Sequence, residues 1–272
     1  MASGVAWRLY MANVRRIVMT ELDAPLCVRR TVSFSAALDA RAAMVEGVEA
    51  WACKSRAEIE QAWSAGRIAV VSQAHWNVAG EIAPDVVIDG ILAKRNVATK
   101  ISDAPLVIAL GPGFTAGSDC HLVVETNRGH RLGRVIVEGS AEANTGVPGD
   151  IAGHTEARVL RAPADGEFVS NKEIGDVVVR SDLIGSVAET PVTAALSGVL
   201  RGLIRPGTYV TRGVKIGDID PRAEREHCYT ISDKARAIAG GVLEAMMRHL
   251  NAAAFASAAE DADRHAAFDR PR

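Results

Sequence analysis

The chain has 272 residues, 48% of them apolar, with 31 lysines and arginines against 33 aspartates and glutamates and a formal charge of −2. That length can bury more than one core, and the scattered, balanced charge offers neither a basic groove for nucleic acid nor a polybasic patch for a membrane surface. Small molecules and other proteins are the expected partners.

Four cysteines, Cys27, Cys53, Cys120 and Cys228, fall at no spacing that reads as a zinc site, a redox pair or a disulfide framework. A reducing cytoplasm fits that usage. Arginines interrupt the only early apolar run and no later run reaches spanning length, so neither a signal peptide nor a membrane segment is read.

At the N-terminus, Val5, Leu9 and Ala12 recur at helical spacing behind Ser3, which predicts a short capped helix; Ile17 to Leu22 predicts a strand ending at Glu21. An acidic residue at the end of the second strand of a Rossmann unit takes ribose hydroxyls, which makes Glu21 a candidate cofactor contact. The run CVRRTVSF follows, with Arg29 and Arg30 adjacent among β-branched residues. They read either as a solvated edge or as an anion clamp, since guanidinium groups hold phosphates and carboxylates through paired bonds.

Helical and strand patterns then alternate: helix over 35–43, strand over 44–53 with Gly47 inside it, helix over 57–65, and strands over 68–72, 86–91 and 106–110. Such alternation predicts an α/β fold built on a parallel sheet. Asp89 stands near a strand end, and Lys94, Arg95 and Asn96 follow where open sheets place their ligands. A salt-bridged surface turn is the other reading of that cluster.

The central stretch LVIALGPGFTAGSDCHLVVETNRGH reads as strand, glycine loop, strand, with Gly111, Gly113 and Gly117 as candidate anion-binding positions. Too few residues follow Gly117 for a crossover helix, so this is not a dinucleotide fingerprint, and a tight structural turn is the alternative. Asp119, Cys120 and His121 invite a metal or a nucleophile. Neighbouring strand residues point to opposite faces, so Cys120 and His121 do not converge on one ion without a bend; a Cys120 thiolate activated by loop dipoles is the other reading, with no base partner identified.

Between residues 162 and 219 the chain repeats with an offset of 32, pairing Gly166 with Gly198, Gly175 with Gly207, Arg180 with Arg212 and Gly185 with Gly217. Two interlocked copies predict a small all-β module similar to the barrel-sandwich hybrid of biotinyl and lipoyl carriers. The connection GSVAETPVTA has no lysine to modify, so the module reads as a scaffold or docking surface. Ser232 then caps a helix over 233–250, whose Gly240-Gly241 pair predicts close packing on another backbone. The boundaries expected in chain order are a Rossmann-like domain over 1–155, the two-repeat module over 156–222, and a C-terminal helix with a fraying tail over 223–272.

The strings ILAKRN, GPGFTAG, ETNRGH and ISDKARAI, spread over most of the chain, resemble the YqeB family. That resemblance implies an accessory or maturation factor of selenium-dependent molybdenum hydroxylase systems, with such an enzyme or its maturation machinery as partner. Molybdenum cofactor or a nucleotide is then the anionic ligand. It also implies a first strand and a GAGD-type turn ahead of Ala2, so either a coding start placed too far downstream or a domain without its first strand is expected, the former being favoured. No catalytic residue is identified. A nucleotide- or NAD(P)-dependent enzyme and a ligand-free scaffold are the alternative functions, although P-loop, GxSxG and HExxH patterns are all missing from the sequence.

Overall fold

The structure is a computed structural model that describes residues 1–268. It is a mixed α/β architecture of several sheets with a C-terminal helix. Two compact units divide it, Met1–Ile82 with Asn144–Arg236 and Ala83–Ala143 with Ala237–Arg272. Because each unit draws on two separate stretches, the division cuts across boundaries drawn in chain order.

The first unit opens with helix α1 (Ala2–Met11) and strand β1 (Val18–Glu21). Ser3 does not cap α1; it is buried, and its hydroxyl accepts the Phe34 N–H at 3.0 Å. The helix expected over 35–43 is reduced to a 3-10 turn at Phe34–Ala36 and one turn, α2 (Ala37–Ala40). Arg41 ends it in the left-handed region at φ 69°. The expected single strand over 44–53 is a hairpin of β2 (Ala42–Val45) and β3 (Val48–Cys53). Glu46 and Gly47 turn it with φ of 42° and 80°, the two positive values that a tight hairpin turn demands.

Helix α3 (Arg56–Ser64) follows, its first turn closed by Ser55 Oγ accepting the Glu58 N–H at 3.2 Å, and then β4 (Ile68–Ser72) and the short α4 (Trp76–Gly80). The sheet order is β1-β4-β3-β2, parallel except for the hairpin. The run Ile68 to Val71 is apolar throughout because both faces are covered. Ile68 and Val70 pack with Ala6, Phe34 and Ala37, whereas Ala69 and Val71 pack with Ile59, Ala62 and Val78.

The second unit carries its own sheet, so the strands do not continue one parallel array as the alternation suggested. Five residues of α4 are too few for a crossover back onto β4. Strands β5 (Val86–Asp89), β6 (Leu106–Leu110) and β8 (Leu122–Val124) are mutually parallel, and β9 (Val135–Ile136) closes the edge antiparallel. Between β6 and β8 the chain makes only a two-residue strand, β7 (Thr115–Ala116), paired with β10 (Gly139–Ser140). Helix α5 (Asp233–Phe268) runs well past residue 250. Ser232 Oγ accepts the Ala235 N–H at 3.2 Å, and within the second unit Gly241 lies so close to the Gly133 carbonyl that no Cβ fits.

The remaining strands of the first unit are β11 (Val159–Arg161), β12 (Gly166–Val169), β13 (Val177–Val178), β14 (Leu183–Val187), β15 (Thr190–Thr193), β16 (Gly198–Leu203), β17 (Tyr209–Val210) and β18 (Lys215–Asp220). They form two antiparallel sheets, β11-β18-β16-β13 and β15-β14-β12-β17, which share one core around Phe168, Ile184, Leu200 and Ile216. The register repeats the sequence offset. Gly166 pairs with Val210 as Gly198 pairs with Val178, and Phe168 pairs with Val187 as Leu200 pairs with Ile219. Each copy thus completes the other's sheet and covers its edges.

Candidate functional site

Strands β5, β6 and β8 run parallel, and each delivers a polar loop at its carboxyl end, the edge where open sheets bind ligands. Asp89 ends β5 and leads into Lys94-Arg95-Asn96; Leu110 ends β6 and leads into the glycine loop; Val124 ends β8 and leads into Glu125-Thr126-Asn127. Three strings separated in sequence by up to thirty residues therefore meet at one edge.

Hydrogen bonds tie the first loop to the second. Buried Asp89 accepts the Ile91 N–H at 3.0 Å and the Thr99 hydroxyl at 2.6 Å. Asn96 closes a small ring with Thr99, donating to its carbonyl at 2.8 Å and accepting its N–H at 2.9 Å, and reaches Asp119 at 3.4 Å. The Asn96 N–H donates to the Gly113 carbonyl at 3.1 Å. Gly113 has φ +104° and rests on the backbone of Lys94 and Arg95, where a Cβ would overlap them. Gly111 lies similarly against the Thr126 side chain, and its N–H donates to the Val124 carbonyl at 2.9 Å. Gly117 stands in open space, its N–H spent on the Cys120 carbonyl at 2.8 Å.

Two non-glycine residues of the first loop, Leu92 and Lys94, hold φ of 59° and 62°. Leucine pays a steric penalty there, and such strain concentrates at ligand clamps and switch regions. Lys94, Arg95 and Gly113 are exposed, so an ammonium, a guanidinium and a glycine backbone face water along one short edge. That set suits a phosphate or carboxylate.

The adjoining nucleophile and base are withdrawn. Burial, then the neighbouring Asp119 carboxylate, pushes the Cys120 thiol up to about 11, opposite to the lowering expected from loop dipoles. His121 Nδ1 accepts the Val107 N–H at 2.9 Å, which occupies that ring nitrogen. Among the described residues no group of three or more His, Cys, Asp or Glu side chains is arranged to hold a metal ion.

Glu21, Arg29 and Arg30 lie in the other unit. Glu21 ends β1, and its carboxylate accepts the Leu22 N–H at 2.8 Å. The two arginines lie on the repeat module with donors already turned to carbonyl oxygens: Arg29 to His227 at 2.8 Å and Thr230 at 3.1 Å, Arg30 to Leu203 at 2.9 Å. Burial, and then repulsion from Arg201, pushes Arg29 down to about 10.

Thr99 and Thr126 escaped sequence reasoning. Thr99 stands three residues after Asn96, the spacing of a local side-chain turn, which was a legible signal; nothing local marks Thr126, whose role depends on β6 lying beside β8.

No protein-family model matches the chain. Among solved structures, a succinylglutamate desuccinylase/aspartoacylase from Rhodobacter sphaeroides matches 30% of this chain and 29% of its own at 19% identity and a TM-score of 0.23. The product-bound ectoine utilization protein EutE (DoeB) from Ruegeria pomeroyi matches 31% of this chain and 27% of its own at 18% identity and a TM-score of 0.22. Likenesses that small carry no argument. Sequence similarity is another matter: the chain is 50% identical over 246 residues to Uncharacterized protein YqeB of Escherichia coli (strain K12), covering 90% of this chain and 45% of YqeB. The chain spans about half the length of that relative, and across the length the two share it is a relative of YqeB.

Proposed function

We propose that the protein is a cytoplasmic accessory factor that binds an anionic, phosphate-bearing ligand at the carboxyl edge of β5, β6 and β8, in the service of molybdenum hydroxylase maturation. One observation carries the binding half of this reading: the strings ILAKRN, GPGFTAG and ETNRGH, remote in the chain, end parallel neighbours and are locked together with strain at Leu92 and Lys94. Lys94 and Arg95 would hold the anion, and a nucleotide or a nucleotide-containing molybdenum cofactor has the charge for them. The hydroxylase half rests on the YqeB resemblance alone. On this reading the first sheet is a Rossmann-like remnant with Glu21 at its ribose end, and the repeat module is a barrel-sandwich-type scaffold.

The test is mass spectrometry and metal analysis of what the purified protein releases on mild denaturation, for the parent and for a Lys94→Ala, Arg95→Ala variant. A pterin or nucleotide released by the parent and reduced at least ten-fold in the variant is expected. Equal retention by both, or no anionic ligand from either, would overturn the site.

A further inference from the structure

The repeat module has two equivalent grooves, and the chain fills only one of them. In the second copy, the segment Val28 to Arg30 lies along β16. The Leu203 N–H donates to the Val28 carbonyl at 2.7 Å, Arg30 Nε donates to the Leu203 carbonyl at 2.9 Å, and Val28 packs on the module's core. Gly202 is bare beneath this strap; a Cβ there would stand 2.9 Å from the Val28 carbonyl oxygen.

The offset of 32 places Ser170 and Asn171 where the second copy has Gly202 and Leu203. There the first copy has a groove of about 500 Å³ whose lining includes Val169, Leu183, Gly185, Asn171, Lys172 and Asp176. Val169 is 55% exposed and Leu183 60%. Among the described residues no carbonyl meets the Asn171 N–H.

Ser170 explains why the strands part. In the second copy the Ile204 N–H bonds the Ile216 carbonyl directly at 2.8 Å. In the first, the equivalent Lys172 N–H donates to Ser170 Oγ at 3.0 Å, and that hydroxyl donates to the Ile184 carbonyl at 2.5 Å. An inserted hydroxyl widens the ladder and leaves apolar walls open to water. Charge differs as well: Arg30 and Arg205 line one small hollow in the second copy, where Asp39 pairs with Arg205, and the first copy has Glu173 in place of Arg205.

We infer that the groove between Val169 and Leu183 receives an extended segment of a partner protein carrying an aliphatic residue followed two positions later by an arginine. The segment docks as Val28 to Arg30 do on the other copy. Its carbonyl accepts the Asn171 N–H, its aliphatic side chain lies between Val169 and Leu183, and its arginine meets the Asn171 carbonyl and the Glu173 carboxylate. This is strand addition by main-chain bonds, with side-chain pockets supplying selectivity.

The chain's own strap supplies the probe. A fluorescein-labelled peptide LCVRRTVS, residues 26–33, is titrated into the full chain, and a photo-crosslinking version maps where it lands. Saturable binding is expected, with crosslinks to residues 169–172 or 183–186 and an affinity at least ten-fold weaker in both Leu183→Asp and Val169→Glu, two exposed positions at which the fold should survive. Replacing the peptide's second arginine by alanine should weaken binding as Glu173→Ala does. Crosslinks confined to residues 200–204, equal affinity in both variants, or no saturable binding up to about 1 mM would overturn the inference. Self-association of the chain that the same two variants abolish would also overturn it, assigning the groove to a second copy.

Discussion

Where the second copy of the module has Arg201, the first has Val169; where it has Asp218 and Asp220, the first has Ser186 and Ala188. The strands that carry them pair in the same order. In the second copy Asp218 and Asp220 are buried, and Arg158, Arg201 and Lys215 converge on Asp218 while Arg201 and Arg222 hold Asp220. The first copy has no charge at those three places and keeps Val169 in water. The repeat therefore conserves what the backbone needs, glycines at close approaches and apolar residues toward the shared core, and leaves the chemistry of equivalent positions free to diverge. The copy that took buried charge also took the strap.

The largest effect separating the copies should come from Arg201→Ala. It strips a partner from both buried carboxylates and should cost about 3–5 kcal/mol in urea unfolding, because the remaining charges stay desolvated. At the equivalent position Val169→Ala should change stability by no more than about 0.5 kcal/mol. Similar losses at both would show that the two copies are energetically alike despite their residues. Next comes Gly202→Ala, whose methyl would press on the Val28 carbonyl and should cost about 1–3 kcal/mol by displacing the strap.

Acid should then sharpen the contrast. Burial alone would raise the Asp218 carboxyl, but Lys215, Arg201 and Arg158 outweigh it and hold it below the usual carboxylate range. Asp220 is likewise held low, with the Arg222 hydrogen bonds overcoming its burial. Depressed folded-state values mean that this stability is present above the unfolded carboxylate range, near pH 4, and is lost as pH falls toward the lower folded values. Melting temperature against pH should show that acid limb, and Asp218→Asn should flatten it; an unchanged limb in the variant would place the acid sensitivity elsewhere. A smaller loss, about 1 kcal/mol, is expected for Ser170→Ala, which removes the hydroxyl bridging Lys172 and Ile184.

Thiol chemistry separates what sequence suggested from what burial decides. With Cys53 and Cys120 each buried and pushed up to about 11, burial being the main cause, neither should react with a disulfide reagent at pH 8 until the chain unfolds, whereas half-buried Cys27 should react in the native protein. Fast native labelling of Cys120 would return it to the candidate nucleophiles. Its dipeptide neighbours gave no hint of this, because burial of Cys120 depends on Val107, Phe114 and Val123 around it.

Much of the chain was legible in short windows. The strand over 106–110, the helix read over 57–65 and found at 56–64, the cap at Ser232 and the register of the repeat all follow from patterns within about ten residues or from self-similarity at 32. The errors were local competitions that a window cannot decide: Arg41 and Glu46 at positive φ broke a helix and a strand that composition alone would have continued. Sheet membership was not legible either. Whether β5 joins β4 or starts a new sheet depends on the length of the connection and on which edge is free.

By itself, then, the sequence determined the periodic elements, the close-packed glycines, the doubled module and the kinship with YqeB. Tertiary structure alone decided that Arg29 and Arg30 bind carbonyl oxygens, that Asn96 closes on Gly113, and that one of two equivalent grooves stays open. The reason is physical. A pattern of side chains fixes which face of an element is apolar, but hydrogen-bond partners and free surfaces are set by segments distant in the chain, and those meet only when the sheets have formed.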